Sequence, residues 1–122
     1  MKALIIAAHG SRKKESNMEV ASLADRLSKK ATGSFGFVDH AFLQFAEPLL
    51  EKKIDELAAK GAKKIVIFPF FIAAGNHILV DIPEVVKRAK NAHADIDFTI
   101  TDHLGKIQAV EEIILREVMN SK

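Results

Sequence analysis

The chain has no cysteine among its 122 residues. That excludes disulfides, thiolate nucleophiles, iron–sulfur clusters and cysteine-ligated zinc. Any metal the protein handles must meet histidine or oxygen ligands. No apolar run approaches the roughly 18 residues that span a bilayer. The run inside "MKALIIAAHGSRKKES" is also too short for a secretion signal and has no small-residue cleavage site behind it. A cytoplasmic protein with no membrane partner is the expectation. Excess charge of one sign is lacking too. Eighteen Lys and Arg stand against 16 Asp and Glu, interspersed, so there is no electrostatic footprint for nucleic acid. P-loop, GxGxxG and GxSxG motifs are absent. The "HGS" lacks the preceding arginine of a phosphohistidine phosphatase, and "IIAAHG" lacks the acidic strand end of a receiver domain.

What is present is an ordinary globular composition, 48% hydrophobic and 28% charged, with no internal repeat, linker or low-complexity tract. One domain over residues 1–122 is expected. Four apolar runs alternate with four helical stripes. The first strand is "ALIIAA" (3–8). A helix over 15–31 follows from Val20, Ala21, Ala24, Leu27 and Ala31, with Ser16 and Glu19 as a capping box. The second strand is "FGFVDHAFL" (35–43). A second helix starts near Glu47-Pro48, carries Leu50, Ile54, Leu57 and Ala58 inward, and ends at Gly61. The third strand begins "KIVIF" and should stop near Phe68, because Pro69 cannot donate to a ladder, leaving "PFFIAAGNH" as a shaped loop. Asp81 and Glu84 read as a capping box around Pro83 for the third helix. The fourth strand is "DIDFTIT" (95–101). The fourth helix, 106–120, puts Ile107, Val110, Ile114 and Val118 on one face. This alternation predicts an α/β fold: a four-stranded parallel doubly wound sheet, flavodoxin-like, of order 2-1-3-4.

In that order the chain reverses between strands one and three, and ligands bind there, beyond the carboxyl ends of the strands. The topology brings His9, ending strand one, and His77, following strand three, to this one rim. His103 falls one strand further out. His40 inside strand two and His93 at the opposite end read as structural. Gly10 permits a tight turn or a close backbone approach to a ligand. Ser11 can bond local backbone. Arg12, near a helix N-terminus, suits a carboxylate or phosphate, whereas Lys13 and Lys14 read as a solvated turn.

The residues "AAHGSR", "FLQFAEPLL" (42–50), "FPFFIAAGNHILVDIPE" (68–84) and "DHLG" (102–105) together resemble the small CbiX-type class II chelatases. The similarity runs in order over essentially the whole chain. It implies insertion of a divalent metal, cobalt first and iron or nickel also, into sirohydrochlorin, a tetrapyrrole with eight carboxylates. It also implies a place in cobalamin, sirohaem or nickel-tetrapyrrole synthesis. No permanently bound cofactor is implied; the metal is a substrate. The family's two active-site histidines map onto His9 and His77 as metal guides and proton acceptors. Substrate contacts are expected from Gly10, Ser11, Arg12, Phe70, Phe71, Gly75 and Asn76. The family's glutamate in "FLE" is Gln44 here, Glu47 of "AEP" is retained, and a histidine-rich loop found in some members is missing.

Imidazole chemistry agrees with that implication. Two pyrrole protons must leave as the ion enters, and neutral imidazole both binds cobalt, nickel or ferrous iron and accepts a proton. Activity should therefore fall as pH drops through the ordinary imidazole range near 6.5. Longer relatives contain two such halves, so this chain reads as one half that pairs with itself as a homodimer. Two other readings stand beside the enzyme: a non-catalytic metal or tetrapyrrole carrier using the same histidines, and a small phosphate-binding module using the basic loop.

Overall fold

A computed structural model of the chain describes residues 1–73 and 75–121, and residues 76–79 in backbone only. The apolar runs become β1 (Lys2–Ala8), β2 (Phe37–Phe42), β3 (Lys64–Pro69) and β4 (Asp97–Ile100). The helical stripes become α1 (Lys14–Lys30), α2 (Leu50–Ala59), α3 (Asn76–Ala92) and α4 (Ala109–Asn120), with a 3-10 turn at Leu104–Lys106. All pairings are parallel and the order is β2-β1-β3-β4, as the alternation predicts.

The central strand explains its own composition. Ala3, Ile5, Ile6 and Ala7 of β1 are buried, because helices lie on both faces of the sheet. One face carries Ala3, Ile5, Ala7, Ile65 and Ile67 under Leu50, Ile54 and Leu57 of α2 and Ile82 and Ala89 of α3. Each buried isoleucine or leucine there contributes about 1.5–3 kcal/mol by leaving water. The other face carries Ile6, Ala8 and Phe42 under Val20 and Ala24 of α1. Val20 and Ala24, four apart, form one stripe of the helix.

Several local expectations are corrected. α1 begins at Lys14, so Ser16 and Glu19 lie inside it and form no capping box. Pro48 precedes α2, whose N-cap is Leu49; the Glu47–Pro48 peptide is cis. α3 begins at Asn76, well before Asp81, and runs through Pro83. β3 extends through Pro69. The Phe70 N–H donates to the Ala7 carbonyl at 2.8 Å, so by strand alternation the Pro69 nitrogen faces the β4 side, where that strand has already ended.

α4 stands apart from the other helices. None of its described residues is buried; Ile114 is 55% exposed and Val118 63%. Its substantial contact is with the 3-10 turn alone. α1 covers only part of its face of the sheet. Beside it runs an apolar groove of about 370 Å³, lined by Leu4, Ile6, Leu23, Leu27, Phe68, Phe70, Thr101 and Leu104.

Away from the carboxyl ends, Lys53 is buried between Asp39, 2.9 Å from its Nζ, and Glu56. Burial opposes the ammonium charge, but the two carboxylates outweigh it and hold the group above its ordinary value. His40 beside them is pushed below its ordinary value by burial, against the pull of Asp39. His93, the C-cap of α3, lies 2.8 Å from Asp55. Both histidines lie against carboxylates, Asp39 and Asp55.

Candidate functional site

β1 and β3 are neighbours, with Ala7 opposite Pro69. The segments that leave them, beginning at His9 and at Phe70, therefore emerge side by side at the carboxyl rim. His9 follows β1 directly, and the backbone of His77 lies in the first turn of α3. The side chains of His77 and Asn76 lie outside the described residues. Gly75 is the exposed N-cap of that helix, with an extended backbone.

The loop after β1 is tied down by its own residues. Asn17 of α1 clips it from both sides: Ser11 N–H donates to Asn17 Oδ1 at 3.0 Å, and Asn17 Nδ2 donates to the Ser11 carbonyl at 2.7 Å. Lys13 N–H donates to Ser11 Oγ at 3.0 Å. Ser11 thus bonds local backbone, as expected. Gly10 has φ +96, and a Cβ there would collide with the Gln44 carbonyl oxygen. The close approach that its glycine permits is to the chain's own backbone.

That approach brings a third segment to the rim. Past the end of β2 the ladder continues, with Leu43 N–H donating to the Ala8 carbonyl at 3.0 Å and Gln44 N–H to the His9 carbonyl at 3.1 Å. The Gln44 amide nitrogen then lies 3.0 Å from His9 Nε2 and 3.5 Å from Nδ1. A group nearly equidistant from both nitrogens lies against the ring rather than along one lone pair. His9 itself is half-buried. Among the described residues no group of three His, Asp or Glu side chains forms a ready metal cage.

The other expected contacts divide. Arg12 is exposed and its guanidinium lies over the Phe45 ring, 4.8 Å from the centroid. Phe70 is half-buried and lines the groove beside α1. Phe71 is a correction: at 8% exposure it belongs to the core with Ile82, so its ring packs the sheet rather than a cleft. Ile72, next to it, is 67% exposed on the rim. His103 is half-buried as the N-cap of the 3-10 turn, and Glu47 is exposed on the loop after β2. Asn17, Gln44 and Phe45 were not legible as rim residues. Only "FLQFAEP" hinted at the last two, and nothing in sequence marks Asn17 as a clip.

Comparison with known proteins gives a consistent pattern. The CbiX family model matches residues 3–121. A protein of Saccharolobus solfataricus named sirohydrochlorin cobaltochelatase is 32% identical over 124 residues, covering 97% of this chain and 94% of its own. The chloroplastic sirohydrochlorin ferrochelatase of Arabidopsis thaliana is 32% identical over 111 residues, covering 91% of this chain and 48% of its own. Among solved structures, the sirohydrochlorin chelatase SirB from Bacillus subtilis subspecies spizizenii, in complex with cobalt, matches with a TM-score of 0.83 and 25% identity over 98% of this chain and 50% of that one. The chain spans about half the length of these last two proteins.

Proposed function

The chain belongs to the CbiX family, and on that premise we propose that it inserts a divalent metal into sirohydrochlorin, with His9 and His77 as metal guides and proton acceptors. The observation that carries the reading is the convergence of the His9 and His77 segments on one rim, between adjacent strands, in a chain matched by the family over residues 3–121. The reaction exchanges one M²⁺ for two pyrrole protons. Neutral imidazole binds the ion through a lone pair and takes up a proton through the same kind of nitrogen. Cobalt is the proposed metal, supported by the cobaltochelatase name of the relative that covers both chains nearly end to end. Gly10, Ser11, Arg12, Phe70, Gly75 and Asn76 are proposed to border the substrate.

The test is insertion of Co²⁺, Fe²⁺ and Ni²⁺ into sirohydrochlorin by the purified chain, followed by the absorbance change of the macrocycle. Many turnovers per chain support the enzyme. Metal transfer that stops at one equivalent supports a carrier instead, and a chain that binds phosphate but no tetrapyrrole overturns both.

The chain is further proposed to be one half of a two-half chelatase, working as a homodimer. Support comes from α4 and the groove beside α1, each uncovered in a single copy. The 3-10 turn before α4 is fixed to the rim: Gly105 N–H donates to the Phe71 carbonyl at 2.9 Å, and a Cβ at Gly105 would collide with the Ile72 carbonyl oxygen. α4 leaves from that anchored point without returning to its own sheet. Its apolar residues Ile114, Leu115 and Val118 match a groove with an apolar lining. Its 12 residues, about 18 Å long, can lie along α1 of a second copy. Glu15, Glu19 and Arg26 of α1, on the wider cleft next to the groove, offer partners of both signs to Arg116 and Glu117. Reciprocal exchange of this kind closes as a two-fold pair.

A further inference from the structure

Phe45 is the only non-glycine among the described residues with positive φ, at 67°. A bulky aromatic residue in the left-handed region is strained, and glycine would occupy it freely. The strain is held in place by its surroundings. On one side the ladder to Ala8 and His9 fixes Leu43 and Gln44; on the other, Phe42 N–H donates to the Pro48 carbonyl at 2.9 Å and closes the loop. Packing does not account for the ring, which is 53% exposed. What it touches is the Arg12 guanidinium, 4.8 Å from the ring centroid. Arg12 in turn sits between two residues whose backbones are fixed, Ser11 by Asn17 and Lys13 by Ser11 Oγ.

We infer that Phe45 is a positioning residue: its turned backbone lays an aromatic ring under Arg12 and holds the guanidinium at the rim to receive a carboxylate of the macrocycle's periphery. The inference rests on the reading of the substrate given above. The chemistry fits the arrangement. A guanidinium held over a ring by its charge spends none of its N–H donors on that contact and keeps them for a bidentate carboxylate. The ring's electron-rich face attracts the cation without competing for those donors. A long arginine otherwise loses considerable side-chain freedom when it binds, and a stacked one has lost it beforehand. The segment that carries Phe45 also carries Gln44, against His9. One short loop thereby sets the anion receiver relative to the proposed metal guide.

The experiment uses Phe45→Gly, Phe45→Tyr and Arg12→Ala in the full chain. Sirohydrochlorin binding is measured apart from turnover. Phe45→Gly should melt no lower than the parent, since it relieves strain and removes an exposed ring. Its Kd and KM for sirohydrochlorin should rise about tenfold with kcat nearly unchanged. Phe45→Tyr, which keeps the platform, should restore both. Arg12→Ala should weaken binding at least as much, and adding Phe45→Gly to it should change nothing further. The upfield ring-current shift of the Arg12 side-chain protons should vanish in Phe45→Gly and persist in Phe45→Tyr. Unchanged binding in Phe45→Gly, or independent effects of the two substitutions, overturns the inference. A parent chain that binds sirohydrochlorin without inserting metal overturns the enzymatic reading and leaves the Kd comparison to judge Phe45. A chain that does not bind it overturns both.

Discussion

Gly10 and Gln44 interlock: the place where Gly10 lacks a Cβ is occupied by the Gln44 carbonyl oxygen, and φ +96 at Gly10 allows that approach. The loop after β1 and the loop after β2 are therefore one rigid unit at the rim. Gly10→Ala should cost about 3 kcal/mol, from strain at the backbone and displacement of the second loop. Gly33→Ala is the control. Gly33 also has positive φ, at 88°, but nothing lies within 4 Å of its Cβ position, so strain alone should cost about 1 kcal/mol. Chemical denaturation of the two variants measures the difference. Equal losses would show that the Gln44 contact has no energetic weight.

His9→Ala and His77→Ala should fold as the parent does and lose metal insertion by about a hundredfold or more, the scale of a lost proton acceptor. His9 is half-buried in a loop rather than in either core cluster, so its removal leaves the packing intact. Melting curves run on the same preparations separate the outcomes. A variant that is active, or one that is inactive only because it is unfolded, counts against the assigned role.

The sheet was legible because β1 and β3 are apolar on both faces, a pattern that only a buried parallel strand satisfies. Strand order and the rim position of His9 followed from that. The helix caps were not legible, although the start of α1 was expected within one residue of Lys14. Ser16–Glu19 and Asp81–Glu84 have capping-box spacing, yet both pairs lie inside helices whose N-caps have no side-chain hydrogen bond. The pull of tertiary packing outweighs a cap worth about 1 kcal/mol. The stripe Ile114 and Val118 was legible as an apolar face but not as an uncovered one. A stripe says that a face seeks burial, not in which molecule it finds it. Phe45 was illegible for a different reason. Left-handed backbone at phenylalanine opposes local preference, so no local rule could predict it.

The fold should lose stability as pH falls, and His40 should account for part of the loss. Its folded pKa is depressed by burial, beside Asp39 and Lys53. The unfolded chain then takes up a proton near the ordinary value of about 6.5 while the folded chain resists it. This contribution is present in full above that value and declines as pH drops towards the folded pKa. His40→Gln should flatten the dependence of stability on pH over that window, measured by urea denaturation across a pH series. An identical slope in the variant would assign the loss to other groups.

The assembly prediction turns on residues that a single copy leaves in water. Ile114 and Val118 of α4 are 55% and 63% exposed. In a monomeric protein, Ile114→Glu with Val118→Glu should change stability by no more than about 0.5 kcal/mol per site and improve solubility. In a dimer that buries α4 beside the partner's α1, the same pair places two carboxylates in an apolar groove with no counter-charge, at a cost of several kcal/mol per dimer. The parent should therefore sediment as a dimer and the double variant as a monomer. If the proposed dimer shares its site, with one set of histidines from each rim, insertion activity should follow the dimer through a dilution series. Leu23→Glu, on the groove side of the same contact, should dissociate the pair as well, so that failure of one helix to fold does not decide the result. A parent that remains monomeric with full specific activity at every dilution would overturn both the dimer and the sharing of its site, and would leave the roles of His9 and His77 to be judged by their own substitutions.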